Sequence, residues 1–310
     1  MSQPPPPSAP PPAPGTGRVA AVYMDKCLVW TPHGQWVCTW RGSIKTQPVV
    51  GDLADFAPLT AETGEIARFL PRRSVLTRLA PHRGRHQQDK AQVLAANVEQ
   101  VVIVAALHQP PFRDGLVFRI LVAARSQGLP ALLCLTKLDL DTGGEFAALR
   151  GRFAALGLPV LGTALSQAQT LAPLAQALAG RISILVGHSG VGKTSLINSL
   201  SDETLRVGEV GFFKDRGRHT TTTARLIPLR AGGLAIDAPG LREFGLHGLT
   251  PELLAEHFPG FAPHFGQCRF RNCRHGSEAG CAVRVAAERG ELSEALYQGY
   301  LKLLGELTPG

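Results

Sequence analysis

Arg181-Ile182-Ser183-Ile184-Leu185-Val186-Gly187-His188-Ser189-Gly190-Val191-Gly192-Lys193-Thr194-Ser195 is the stretch on which the reading of this chain turns. Ile182 to Val186 is an apolar, β-branched run of the kind that forms a buried strand, and Leu196-Ile197-Asn198-Ser199-Leu200 starts a helix. Between them, Gly187 to Thr194 spells G-x-x-x-x-G-K-[ST], and strand, glycine-rich loop and helix in that order make a phosphate-binding loop. The glycines let the backbone curl so that amide N–H groups converge on phosphate oxygens, and the helix adds the positive end of its dipole. Gly187, His188, Ser189, Gly190, Val191, Gly192, Lys193, Thr194 and Ser195 are therefore candidate nucleotide contacts. Lys193 would reach the β- and γ-phosphates, where it serves catalysis as well as binding, and the Thr194 hydroxyl would ligate Mg²⁺.

Upstream, a continuous apolar run from Val101 to Leu107 ends before Pro110-Pro111. Helical patterns at Gly115–Gln127, Gly144–Leu156 and Leu171–Ala179 then alternate with strand patterns at Ala131–Leu135 and Pro159–Leu161. That alternation predicts a parallel sheet covered on both faces, with the phosphate loop inside the domain and not at its start. At the end of the Ala131–Leu135 strand lies Thr136-Lys137-Leu138-Asp139. Guanine presents two donors on one edge, N1–H and the N2 amino group, and the Asp139 carboxylate is the complementary fork, with Lys137 lying along the base. A helix-capping strand exit is the plainer reading of this tetrapeptide, and its place at a strand's carboxyl end favours ligand binding. Downstream, Leu234-Ala235-Ile236-Asp237-Ala238-Pro239-Gly240 is a strand ending in D-x-x-G. Asp237 is placed to hold Mg²⁺ through water, and the Gly240 amide to meet the γ-phosphate. Between the two elements, Gly217-Arg218-His219-Thr220-Thr221-Thr222-Thr223 is a polar loop whose hydroxyls, Thr221 among them, suit the same metal. It is a natural segment to be ordered by a triphosphate and released after hydrolysis.

The flanks carry different signals. Short β-rich runs at Arg18–Tyr23, Cys27–Thr31, Gln35–Trp40, Val49–Phe56 and Gly64–Phe69 predict a small closed barrel. An OB-fold leads over an SH3-like domain, and its expected partner is single-stranded or irregular nucleic acid. Trp30, Trp36 and Trp40 could offer stacking faces, with at least one of them filling the barrel. A basic run follows, Arg68, Arg72, Arg73, Arg78, His82, Arg83, Arg85, His86 and Lys90, opposed within its own span only by Asp89. It reads as a phosphate-contact strip or as a solvated face. The net charge of +8 points the same way. Near the other end, Cys268-x4-Cys273-x-His275-x5-Cys281 supplies a full tetrahedral set for one structural Zn²⁺, with no position left for water. Disulfides in a reducing compartment would leave one of these cysteines over. Arg269, Arg271, Arg274 and Arg284 surround the set and would turn a basic face to RNA, and Val283–Leu304 reads as one or two amphipathic helices. Cys27, Cys38 and Cys134 read as buried reduced thiols. Met1–Pro14 is proline-rich and lacks the basic and apolar regions of a signal peptide, and no run of about 18 apolar residues occurs, so a cytoplasmic protein with no membrane span is expected. The expected layout is a multidomain chain: tail 1–17, OB-fold β-barrel 18–75, α/β P-loop domain 76–245 and a zinc-binding, α-rich module 246–310.

With Thr136–Asp139 ahead of the phosphate loop, the Gly217–Thr223 loop and D-x-x-G behind it, a barrel before and a Cys/His cluster after, the chain resembles the RsgA (YjeQ) family of circularly permuted GTPases. The resemblance covers nearly all of the chain except the proline tail. It implies a GTPase (GTP/GDP, Mg²⁺, one structural Zn²⁺) that works as a monomer on the small ribosomal subunit and its 16S rRNA during late maturation, with hydrolysis driving release. Thr136 stands where such families often have Asn, which weakens one side-chain contact to the loop. Gly162-Thr163-Ala164-Leu165 only loosely matches the Ser-Ala pair whose backbone meets guanine O6. Leu241 follows Gly240 where Ras-type enzymes carry a water-positioning Gln. The resemblance assigns that task to His219, which could equally contact an RNA phosphate. Two other readings remain: an RNA-binding assembly scaffold that holds nucleotide as a structural ligand, and a P-loop kinase or ATPase, against which Asp139 argues. Because the chain passes from D-x-x-G through Phe244–Phe261 into the cysteine cluster, nucleotide state is expected to reach the zinc module along that covalent link.

Overall fold

The structure is a computed structural model that describes residues 15–79, 91–202, 224–237 and 249–307. Five strands, β1 (Gly15–Val22), β2 (Cys27–Thr31), β3 (Gly34–Trp40), β4 (Leu53–Pro58) and β5 (Thr63–Phe69), close on themselves in the order β1-β2-β3-β5-β4-β1. All pairs are antiparallel except β3 with β5. This is the five-stranded OB arrangement. Alternate residues face inward, so Val19, Val29, Trp36, Ala54, Phe56 and Ile66 fill the interior, with the Trp36 and Phe56 rings 5.3 Å apart. Trp30 and Trp40 are half-buried. Cys27 and Cys38 oppose each other across β2 and β3, and burial pushes both thiols up to about 12, as it does Cys134, so all three are the inert thiols expected. The first strand begins at Gly15, inside the stretch read as tail, because Gly15–Arg18 supply the backbone pairs to Leu53–Phe56 that shut the barrel.

β6 (Val75–Leu79), inside the span read as a basic strip, and β7 (Ala91–Ala96), just after it, follow as an antiparallel pair. Two arginines of that strip pair with carboxylates of the barrel, Arg72 in a mostly buried pair and Arg68 in one that leaves its side chain exposed. Arg68 is 2.7 Å from the Asp55 carboxylate, and Arg72 forks onto the fully buried carboxylate of Asp52 at 2.7 and 2.8 Å. Their counter-charges come from the barrel, which the local charge count does not see. His82, Arg83, Arg85, His86 and Lys90 lie outside the described residues.

The central sheet comprises β8 (Gln100–Ala106), β9 (Ala131–Thr136), β10 (Val160–Thr163), β11 (Ile182–Val186), β12 (Arg225–Pro228) and β13 (Leu234–Asp237), in the order β10-β9-β8-β11-β13-β12. Every neighbouring pair is parallel except β12–β13, and β12 also meets the barrel, Arg225 opposite Ala21 of β1. Strands buried on both faces read as unbroken apolar runs. Val101, Ile103 and Ala105 of β8 pack one way, towards α1 (Asp114–Arg125) and α2 (Glu145–Ala155). Val102, Val104 and Ala106 pack the other way, towards α3 (Ala172–Leu178) and α4 (Lys193–Leu200).

The C-terminal module has α5 (Pro251–His257), α6 (Ala282–Glu288) and α7 (Glu294–Leu307), so the Val283–Leu304 pattern resolves into two helices. α5 starts on Thr250, whose hydroxyl accepts from the Leu253 amide at 3.2 Å, with proline in its first turn. The module shares one apolar core with the α1 face of the sheet. Phe118 of α1 packs on Phe258 at 5.2 Å, Phe258 on Phe261 at 5.0 Å and Phe261 on Tyr300 of α7 at 4.6 Å. Arg119 of α1 pairs with Glu306 of α7. The covalent link expected to carry nucleotide state lies partly outside the described residues, and α1 gives the module a second, packed connection to the nucleotide-binding half.

Candidate functional site

Because β8, β9, β10, β11 and β13 are parallel, the loops at their carboxyl ends gather along one sheet edge, where open α/β sheets bind ligands. Gly187 leaves β11 against the backbone of β8, so close that a Cβ on it would stand 2.0 Å from the Val104 carbonyl oxygen. Gly190 and Gly192 hold φ of 79° and 94°, the left-handed region that glycine adopts without strain. Lys193 opens α4 and folds back over the loop, donating from Nζ to the carbonyls of Gly187 at 2.8 Å and His188 at 2.9 Å. The next residue, Thr194, donates from its hydroxyl to Asp237 Oδ2 at 3.4 Å, at the end of β13. Burial pushes the Asp237 carboxyl above its ordinary range, while Lys193 and the Thr194 hydroxyl pull it back. A half-buried hydroxyl and carboxylate side by side are hard oxygen donors of the kind Mg²⁺ takes.

Thr136 ends β9 and is 6% exposed. Its hydroxyl donates to the carbonyl of Val191 in the phosphate loop at 2.7 Å, with the Ala105 carbonyl further off at 3.4 Å. Thr136 thus makes one side-chain contact to the phosphate loop. Lys137 takes φ of 60° and donates to the Gln109 carbonyl in the loop after β8. Asp139 follows in a 3-10 turn over Leu138–Leu140 and is exposed. Asp141 closes the loop by accepting from the Glu145 and Phe146 amides at 2.9 and 3.0 Å, and His108 Nε2 lies 2.6 Å from Glu145 Oε2. The loop after β10 runs alongside, since Thr163 is in register with Thr136. The Ala164 amide is already bonded to Thr170 Oγ1 at 2.9 Å, so it is not free for guanine O6.

The ligand atoms of Cys268, Cys273, His275 and Cys281 all lie within 4.8 Å of one another. Backbone amides point at the sulfurs: His275 N–H to Cys273 at 3.4 Å, Ala282 N–H to Cys268 at 3.3 Å and Arg284 N–H to Cys281 at 3.4 Å. Such donors suit thiolate sulfur, and four soft or borderline ligands within one reach fit a closed Zn²⁺ site. His275 lies between the rings of Phe261 and Phe265, at 5.8 and 5.9 Å. Tyr297 on α7 donates its hydroxyl to the carbonyls of His275 and Gly276 at 3.0 and 2.9 Å, and Tyr300 donates to Arg274. Of the surrounding arginines, Arg269, Arg271 and Arg274 are exposed, Arg274 with Glu252 3.5 Å away, while Arg284 is half-buried and 3.6 Å from Glu288.

A sequence model of the family described as RsgA GTPase matches residues 69–247. The chain belongs to the RsgA GTPase family. Curated relatives named "Small ribosomal subunit biogenesis GTPase RsgA" include that of Chlorobaculum parvum, 39% identical over 263 residues, which span 83% of this chain and 85% of the relative. The Neisseria meningitidis relative of the same name is 40% identical over 286 residues, 90% of this chain and 88% of its own. Among solved structures, YjeQ from Thermotoga maritima superposes with a TM-score of 0.75 at 28% identity over 95% of this chain and 99% of its own. YloQ, titled a circularly permuted GTPase, does so at 0.72 with 25% identity over 95% of each. The RsgA family makes the chain a GTP hydrolase and implies that it binds GTP, GDP and Mg²⁺.

Of the site residues named from sequence, Thr136–Asp139, Gly187–Ser195 and Asp237 come together at that edge, and the four zinc ligands converge in the C-terminal module. His219, Thr221, Gly240 and Leu241 lie outside the described residues. The sequence reading did not single out Gln109, which accepts from Lys137, His108, which pairs with Glu145, or Tyr297 and Tyr300, which hold the backbone of Arg274, His275 and Gly276. The tyrosines carry a usable signal, since residues three apart on a helix share a face.

Proposed function

We propose that this RsgA-family GTPase docks on the small ribosomal subunit through 16S rRNA, assists its late maturation and leaves as GTP is hydrolysed to GDP and phosphate. The observation that carries the nucleotide half of this reading is the 2.7 Å bond from Thr136 to Val191, which brings the Asp139 loop up against the phosphate loop so that one nucleotide can span both. The relatives' printed names support the ribosomal half.

In this reading the Asp139 carboxylate accepts from guanine N1–H and N2. Amides of Gly187–Thr194 and the Lys193 ammonium take the phosphates, and Gly240 and Thr221 complete the γ-phosphate side. Thr194 and Asp237 would hold Mg²⁺, which when bound offsets charge on the β- and γ-oxygens. Leu241 has no atom to orient water, and His219 is assigned that role. His219→Ala is expected to keep GTP binding and lose most subunit-stimulated turnover; stimulation equal to wild type removes the assignment. The barrel and the exposed Arg269 and Arg271 are the RNA-facing surfaces, and Zn²⁺ on Cys268, Cys273, His275 and Cys281 is structural. Among the described residues no helix is long and apolar enough to cross a membrane, and we assign the protein to the cytoplasm as a monomer. The test is GTP turnover titrated separately with purified small and large subunits, with ATP as competitor. Activation by small subunits alone and preference for GTP are expected; equal activation by both subunits, or none, overturns the proposal.

A further inference from the structure

Asp139 is exposed, and nothing among the described residues bonds its carboxylate, so its aim depends on the backbone of its own turn. That turn is short. The Leu140 amide donates to the Lys137 carbonyl at 3.0 Å, and the Asp141 amide to the Leu138 carbonyl at 3.1 Å. Ahead of Asp139 the turn is seated by Leu138, whose Cδ2 would stand 3.2 Å from a Cβ on Gly162 of β10. Behind Asp139 it is held differently.

α2 starts without a cap of its own, because the residue before it is Gly144, with φ of 78° and no side chain to offer. The first two amides of the helix, those of Glu145 and Phe146, donate instead to Oδ1 and Oδ2 of Asp141 at 2.9 and 3.0 Å. A capping carboxylate usually belongs to the residue that adjoins the helix. This one comes from three positions earlier, in the turn that carries Asp139. The intervening Thr142-Gly143-Gly144 is exposed, and its paired glycines give the chain little stiffness of its own. The carboxylate spans that loose stretch. At its other end α2 is a firm anchor, since the Phe146 ring lies against β10, 2.7 Å from where a Cβ on Gly162 would stand.

We infer that Asp141 is a positioning residue for guanine recognition: it never touches the base, and by clamping the turn of Asp139 onto the first amides of α2 it sets where the Asp139 carboxylate stands. The inference rests on the guanine reading of Asp139 and deepens it. Selectivity for the base then depends on a second carboxylate that points away from the ligand, into the start of a helix.

The test is the Kd of GDP and of inosine diphosphate for the full-length, zinc-loaded protein, both by titration. Inosine lacks the N2 amino group, so the ratio of the two affinities reads one arm of the Asp139 fork. Wild type should prefer GDP by about tenfold, the worth of one hydrogen bond to a charged group. Asp141→Ala should weaken GDP by about tenfold and inosine diphosphate by only about threefold, so that the preference falls to about threefold. Asp141→Asn keeps one acceptor oxygen and should fall between Asp141→Ala and wild type; should Asp141→Ala not fold, Asp141→Asn against wild type gives the same comparison. Equal losses for the two nucleotides would make Asp141 a helix cap and nothing more, and a change in GDP affinity below about twofold would show that the turn holds itself; either overturns the inference. Asp139→Ala is the reference and should abolish the preference. If it leaves the preference intact, the guanine reading of Asp139 fails and takes this inference with it, a result distinct from a preference that responds to Asp139 and not to Asp141.

Discussion

Replacing Arg72 by Met should loosen the barrel at its junction with the GTPase domain, and the structure allows the size to be worked out. The Asp52 side chain is fully buried and accepts three bonds, from Arg72 Nε at 2.7 Å, Arg72 Nη2 at 2.8 Å and the Val49 amide at 2.8 Å. Met keeps the unbranched stem and removes both guanidinium bonds, leaving a buried carboxylate on a single amide. Breaking a buried pair from one side costs about 3–5 kcal/mol. The Arg72 side chain is 21% exposed, so water gains partial access and the lower end, about 3 kcal/mol, applies. Asp52→Asn is milder, about 1–2 kcal/mol, because the arginine it orphans can turn to solvent. In the double variant neither charge remains, so its loss should resemble that of Asp52→Asn alone, a coupling of about 3 kcal/mol. The assay is urea unfolding followed by tryptophan fluorescence. All three tryptophans of the chain, Trp30, Trp36 and Trp40, lie in β2 and β3, so the signal reads the barrel alone. An Arg72→Met loss below about 1 kcal/mol, or strict additivity in the double variant, would refute the view of this pair as a buried, mutually dependent joint.

Asp237→Asn should raise the melting temperature of the ligand-free protein while abolishing the stabilisation that Mg²⁺ and GDP confer on wild type, read by thermal melts with and without ligand. The sign follows from the raised carboxyl: the native state holds its proton more tightly than the unfolded chain, so this group's contribution falls as pH rises through the raised value, and above it the ionised form is a full penalty that Asn removes. Gly187→Ala places a Cβ 2.0 Å from the Val104 carbonyl oxygen, and should cost about 1–3 kcal/mol in a urea titration and weaken GDP binding at least about tenfold by fluorescence titration. Stripping Zn²⁺ with a chelator should release one ion per chain, melt α6 and α7 by circular dichroism and expose Cys268, Cys273 and Cys281 to a thiol reagent. Cys27, Cys38 and Cys134, all fully buried elsewhere, should stay protected.

The features legible in the sequence are those whose chemistry is local. The phosphate loop is a contiguous strand–loop–helix, the zinc ligands sit in one short segment, and the barrel strands announce themselves by alternation between Gly and Pro breaks. What escapes the reading is long-range. Arg68 and Arg72 look like a phosphate strip because their partners, Asp55 in β4 and Asp52 just ahead of it, precede them by more than ten residues. β12 is only Arg225–Pro228, too short to show a period, and it is defined by pairing with β13 on one side and Ala21 on the other. α5 hides behind a mixed apolar and acidic stretch, although Thr250-Pro251 is a readable start signal. Thr136 is legible as a site residue, but the role of its hydroxyl depends on which backbone oxygen lies opposite, and no spacing rule encodes that.

The aromatic run from Phe118 through Phe258 and Phe261 to Tyr300 has a consequence for how this protein can be divided. A fragment cut after the D-x-x-G segment would keep the loops at the sheet edge but strip the outer side of α1, baring Phe118, now 4% exposed, to water and leaving Arg119 without its carboxylate. Such a piece would aggregate through that bare flank instead of reporting intrinsic catalysis. The zinc module is therefore not a detachable cassette, and any attempt to graft it onto another GTPase would have to carry α1 along with it.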